Sequence, residues 1–136
     1  MNTLGLWEFI PGGSLEGETN HRQALKNSFY LRNTQNGEML FASTEFIDEL
    51  FQKRRQINTK TASDKPLGDE FVWVFKRHTH NSNRVHIFNL KYDEPLYAGS
   101  FFYKNKVMTW WKKPTESRQF LWRLSCLDDM YPIIVS

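Results

Sequence analysis

Cysteine is almost missing from this sequence: Cys126 is the only one in 136 residues. No disulfide can form within the chain, and metal centres built on several thiolates are excluded. At the end of an apolar strand pattern, Cys126 reads as a small packing residue. Long apolar runs are missing as well. Nothing approaches the roughly 20 consecutive apolar residues that a membrane-spanning helix needs, so no membrane insertion is expected. No asparagine heads an Asn-X-Ser/Thr acceptor, which removes one signal of secretion. The opening "MNTLGLWEFIPGGS" has neither a charged leader nor a sustained apolar stretch and does not read as a secretory signal. The expected compartment is either the cytoplasm or, for a mature form carrying an added Met1, the outside of the cell. Spacings for a Ser/His/Asp triad, a phosphate-cradling glycine loop and a metalloprotease helix are absent, and no cofactor is expected.

Excess charge of one sign is also lacking. Eighteen Lys and Arg against fifteen Asp and Glu leave a net charge of +3 and a pI near 9.0, so a basic patch can arise only by clustering. Aromatic side chains, in contrast, are abundant, at 15% of residues within a hydrophobic share of 40%. Composition and length fit one globular domain spanning residues 1–136.

The aromatic residues follow a pattern. The stretch "VHIFNLKYDEPLYAGS", residues 85–100, repeats "FYLRNTQNGEMLFAST", residues 29–44, fifty-six positions earlier. Asn33 matches Asn89, Glu38 matches Glu94, Leu40 matches Leu96 and Ala42 matches Ala98, while Phe29/Val85, Leu31/Ile87 and Phe41/Tyr97 keep their apolar character. Further on, "INT" at 57–59 answers "VMT" at 107–109, and "FVWVF" at 71–75 answers "FLWRL" at 120–124. Trp7-Glu8-Phe9 is a third copy of the Trp-X-apolar pattern in Trp73-Val74-Phe75 and Trp122-Arg123-Leu124. Self-similarity of this kind marks a fold made of repeated supersecondary units.

Alternation of apolar and polar residues predicts strands at 4–10, 29–33, 38–43, 56–61, 70–76, 84–90, 94–100, 105–111, 119–125 and 130–136. Gly37 supplies the positive φ for the turn after Asn33. From 44 to 55 the period changes: Phe46, Ile47, Leu50 and Phe51 fall on one helical face, predicting one short helix inserted near 44–55 where the first unit carries extra residues.

Four strands per unit, with Asn closing the first, Ala after an apolar pair in the second and Trp in the fourth, resemble the β-trefoil lobe of ricin-type lectins and fascins. The pattern "NLKYDEPLYAG" followed by a Trp-bearing strand is also similar to trefoil domains of insect haemolymph low-molecular-weight lipoproteins and of small insect secreted proteins. The resemblance implies an all-β, β-trefoil-like closed barrel with two full four-stranded units and a split, incomplete third. It puts the strands at Trp7, Phe29, Trp73, Val85, Trp122 and Tyr131 in the barrel wall and leaves one cap hairpin missing. Residues 11–28, an apolar ligand or a partner chain, as in a homodimer, would cover that gap. The family's galactose-type sites need acceptors where this chain has Phe41, Tyr97, Phe71 and Phe120, so the scaffold is implied without its lectin site.

The recurring Trp7, Trp73 and Trp122 read as core, Asn33 and Asn89 as turn-forming side chains, and Glu38 and Glu94 as local hydrogen-bonding groups at strand starts. His78 and His80 form a His-X-His pair, but without an acidic or thiol ligand in the run they read as loop, and no metal is expected. The cluster "YKNKVMTWWKKP" at 103–114 is different. Of Trp110 and Trp111 only one can face the core; the other stands among Lys104, Lys106, Lys112 and Lys113, with Arg54 and Arg55 expected on the matching basic hairpin. This predicts a non-enzymatic binding module whose basic, Trp-bearing cap recognises a macromolecule, a protein or an anionic glycan. Nucleic-acid binding through the same cluster, or a weak hydrolase using Glu or His in the cap opening, are the alternatives.

Overall fold

The computed structural model describes residues 3–11, 27–49, 52–61, 67–77, 84–98, 107–111, 114, 119–127 and 131–135, with the backbone alone at 3–6, 11, 49, 124–127 and 131–135. Ten strands follow in order: β1 (Thr3–Pro11), β2 (Ser28–Asn33), β3 (Glu38–Glu49), β4 (Gln52–Thr61), β5 (Val72–Arg77), β6 (Arg84–Asn89), β7 (Glu94–Ala98), β8 (Val107–Thr109), β9 (Trp122–Leu127) and β10 (Tyr131–Val135). A 3-10 turn, Asp69–Phe71, leads into β5.

All pairings are antiparallel, and the sheet closes on itself. The seven strands β2, β3, β4, β8, β7, β6 and β5 form a closed barrel, sealed by the β6–β7 pairing. A second circuit shares three of these strands, because β1 pairs with β2 and with β10, and β10 continues through β9 to β6. The strands carrying Trp7, Phe29, Trp73, Val85, Trp122 and Tyr131 are thus linked in a ring of six through β2–β5 and β5–β6. Closure leaves those strands without free edges.

The two matched stretches fold alike, residue for residue. Leu40 faces Thr59 across β3–β4 as Leu96 faces Thr109 across β7–β8, and Ala42 faces Ile57 as Ala98 faces Val107. Trp7 stands opposite Asn33 as Trp73 stands opposite Asn89. The turns match too: the Asn33 carboxamide oxygen accepts from the backbone N–H of Gln35 and Asn36, and that of Asn89 from Lys91 and Tyr92. Each turn ends on a residue with positive φ, Gly37 at 74° and Asp93 at 51°. Aspartate is one of the few side chains that enters this region readily, so the second unit keeps the turn without glycine.

Inward residues of both units meet in one core containing Trp7, Trp73 and Trp122, with Leu31, Leu40, Ile87 and Leu96 around them. Phe9, Phe29 and Phe75 close one region as a mutual cluster with ring centroids 5.0 to 5.4 Å apart. A buried indole N–H needs an acceptor, and two find equivalent ones: Trp73 Nε1 donates to the Leu40 carbonyl at 3.1 Å and Trp122 Nε1 to the Leu96 carbonyl at 3.2 Å.

The helix expected near 44–55 is not formed. β3 runs to Glu49 and β4 starts at Gln52, and the two pair through Phe46 with Arg55, Ile47 with Arg54 and Glu49 with Gln52. The extra residues of the first unit lengthen a hairpin, with a register shift between Ala42 and Phe46. Ser43 patches that irregularity: its hydroxyl donates to the Gln56 carbonyl at 2.8 Å and accepts from the Glu45 N–H at 3.1 Å. Phe46 and Ile47, read as neighbours on one helical face, instead point to opposite sides of a strand. Ile47 packs on a second cluster of Tyr97, Met108, Trp110 and Phe120, and Phe46 is exposed. Cross-strand packing outweighs helical periodicity in a stretch this short.

Two stability measurements follow. Trp73→Ala is expected to destabilise by about 3–5 kcal/mol, and Trp122→Phe, which keeps most of the ring but strands the Leu96 carbonyl, by about 1–3 kcal/mol; denaturant titration reads both. Gly37→Ala should lose about 1–2 kcal/mol to left-handed strain, whereas Asp93→Asn should change stability by less than about 0.5 kcal/mol. Equal effects of the two changes would contradict the left-handed backbone assigned to both turns.

Candidate functional site

Strands β3, β4, β8 and β7 are hydrogen-bonded neighbours in the barrel, and at their centre, on β4, stands the dipeptide Arg54-Arg55. Successive strand residues face opposite ways, so the two guanidinium groups enter different surroundings. Both were expected on an exposed basic hairpin; both are buried. Desolvation of these charges is made tolerable by aromatic rings and, for only one of them, by a carboxylate.

Arg55 is fully provided for. Its Nε donates to Glu94 Oε1 at 2.6 Å, its Nη2 to Glu94 Oε2 at 3.4 Å and its Nη1 to the Ser43 carbonyl at 3.0 Å. The guanidinium carbon lies 3.5 Å from the centre of the Tyr92 ring and 4.7 Å from that of Phe46. Glu94 Oε1 also accepts from the Thr109 hydroxyl at 2.9 Å. The equivalent carboxylate in the first unit, Glu38, accepts from Thr59 Oγ1 at 3.1 Å and from Asn36 Nδ2 at 3.0 Å, in an exposed setting. Both glutamates therefore serve local structure, as their repetition implies, and the first unit's arginine ties its hairpin to the second unit's strand start.

Arg54 is packed against aromatic rings, with no acid of the described residues on it. Only 4% exposed, it stacks its guanidinium carbon 3.4 Å from the Trp110 ring centre and 5.2 Å from that of Tyr97. Trp110 in turn stacks on Phe120 with 6° between planes, and Tyr97 meets Phe120 at 4.9 Å. No carboxylate of the described residues lies in ion-pair range of Arg54. The adjacent tryptophans divide as expected: Trp110 is 8% exposed and Trp111 72%, with its ring edge-on to Trp110 at 6.4 Å. Lys104, Lys106, Lys112 and Lys113, and likewise His78 and His80, lie outside the described residues.

A second feature is an open cleft of about 300 Å³ against the first unit, lined by Phe41, Asn58, Lys60, Glu70, Lys91 and Tyr92 among others. Phe41 in its wall packs on the buried Phe71 with ring centroids 5.1 Å apart, the counterpart of Tyr97–Phe120. Lys60 Nζ lies 5.1 and 5.2 Å from those two ring centres, and Lys91 Nζ is 3.9 Å from a Glu70 oxygen. In the second unit Trp110 stands at the position of Lys60 and covers the matching ring pair, so the two units differ here in chemistry while agreeing in backbone.

The sequence reading missed Phe46 as an exposed aromatic, because the helical period placed it inward, and it missed the Arg55–Glu94 link. The recurrence of Glu38 and Glu94 was the available signal for the latter. Among the described residues no helix is long and apolar enough to cross a membrane. No protein-family model matches the chain, and no curated protein matches it.

Removing Glu94 leaves Arg55 buried and unpaired. Glu94→Ala should therefore destabilise by about 3–5 kcal/mol, while Glu38→Ala should lose only about 1 kcal/mol. The pair Arg55→Met with Glu94→Leu should recover much of the first loss. Denaturation of the three variants beside wild type checks this, and equal penalties at the two glutamates would refute the assigned roles.

Proposed function

We propose that this chain is a non-enzymatic, macromolecule-binding module on a β-trefoil-like scaffold, with its binding face on the cap at Trp111. The trefoil reading draws support from the ring of six strands, from the matched registers of the two units and from the two hairpins, β3–β4 and β7–β8. The N-terminal and C-terminal strands then stand for a third unit without a hairpin. The observation that carries the binding reading is the exposure of Trp111 beside a rigid buried stack of Trp110, Arg54 and Phe120. A large apolar side chain left in water but braced from behind is a ready anchor, because little conformational freedom is lost when a partner covers it.

In the chain Trp111 is followed by Lys112 and Lys113 and preceded by Lys104 and Lys106, which favours partners of negative charge. The hydrolase alternative loses support because both Glu94 oxygens are already engaged. Binding to a protein array, to heparin and to single-stranded DNA, at low and high salt, tests the proposal. At least one of these classes should bind, should weaken with salt, and should lose about tenfold or more of its affinity in Trp111→Ala. Thermal unfolding of that variant should match wild type. Binding that ignores Trp111, or no binding to any class, would remove the reading.

A further inference from the structure

Arg54 presents a charge that no carboxylate of the described residues balances. Of its donors, Nε has no hydrogen-bond partner, and Nη1 makes one long contact, 3.5 Å, to Gln52 Oε1. Stacking on Trp110 stabilises the cation through the ring face but satisfies none of its N–H groups. Arg55, one residue on, has a carboxylate held on two of its nitrogens. A buried guanidinium without that counterpart is costly to maintain. The one polar group set against it belongs to Gln52, an exposed side chain that an incoming acceptor can displace. Next to Trp110, Trp111 is a large hydrophobic side chain that is 72% exposed, whereas the exposed Phe46 lies on the other side of the sheet, against Arg55.

We infer that the ligand of this cap is an acidic protein segment: an Asp or Glu carboxylate takes the place of Gln52 on Arg54, while a neighbouring apolar side chain rests on Trp111. This rests on the binding role proposed for Trp111 and adds the chemistry that role would recognise. A planar carboxylate fits the guanidinium edge with two parallel hydrogen bonds. It also supplies the missing countercharge on a short side chain that can follow Gln52 into place. A sulfated glycan, in contrast, carries its charge outermost and meets exposed cations such as Lys53 first.

The test is a display library of random linear peptides selected on the wild-type protein, followed by resynthesis of the enriched peptides with each Asp or Glu changed to its amide. Enriched peptides should carry an acidic residue next to an aromatic or aliphatic one. Changing that acid to the amide should weaken binding to wild type by at least about thirty-fold. Arg54→Met should show a similar loss, with no further effect of the amide change. If Arg54→Met does not fold, the amide comparison on wild-type protein decides alone. Enrichment without acidic preference, or equal binding of acid and amide peptides, overturns the inference. Trp111-dependent binding of heparin or DNA without any acidic peptide would leave the role of Trp111 standing and remove the peptide. Failure of every ligand to depend on Trp111 would remove both.

Discussion

The hydrogen bond from a buried indole to a hairpin carbonyl is the constraint around which this molecule is arranged. Trp73 and Trp122 bring the largest apolar surfaces in the chain into the centre of the barrel. Each also brings one N–H that cannot be left without an acceptor there. The carbonyls of Leu40 and Leu96, on the first strands of the two hairpins, meet that need. A barrel-wall residue is thereby fixed to a cap residue at one register, and a slip by one position would both orphan the indole and turn the hairpin's apolar face outward. The positions that this bond controls are those that repeat: the leucine that offers its carbonyl, the alanine two residues on, the asparagine that closes the preceding strand.

Charge in the cap follows a different logic, since adjacent arginines on one strand cannot share a partner. Arg55 turns toward Glu94, Thr109 and the Ser43 carbonyl and becomes a tie between the two units. Arg54 turns toward Trp110 and Tyr97 and has no countercharge among the described residues. A buried pair with all its hydrogen bonds made holds parts of a structure in one arrangement, whereas a buried cation without them is held by packing alone. The first belongs to architecture, and the second is the group on which the proposed ligand would act.

What could be read from the sequence divides along the same line. The ten strands, the two asparagine turns, the buried tryptophans and the division between Trp110 and Trp111 were legible because each depends on local alternation or on recurrence at a fixed offset. The hairpin at 44–55 was not. Its apolar residues satisfy a helical face as well as they satisfy strand packing, and only the partners across the sheet, Arg54, Arg55 and the cluster around Trp110, decide between them. The arginines misled for a related reason. Four consecutive polar residues, Gln52 to Arg55, read as a solvated edge, and nothing local reveals that Tyr92, Glu94 and Trp110 arrive from farther along the chain to bury two of them.

Repetition also indicates where to look for activity. Positions equal in both units are accounted for by the barrel, the turns and the hairpin registers, so they leave little to be assigned elsewhere. Departures at equivalent positions have no such explanation. Lys60 in the first unit leaves the Phe41–Phe71 pair beside an open cleft, while Trp110 in the second unit covers Tyr97–Phe120 and, with Arg54 stacked on it, builds a solid support beneath Trp111. The same backbone thus presents an open, charged hollow on one unit and a filled, aromatic ridge on the other. An anchor needs rigidity behind it and solvent in front of it, and of these two places only the ridge provides both. The divergence of one residue between matched strands, lysine to tryptophan, is what turns a structural repeat into a surface with a distinct face.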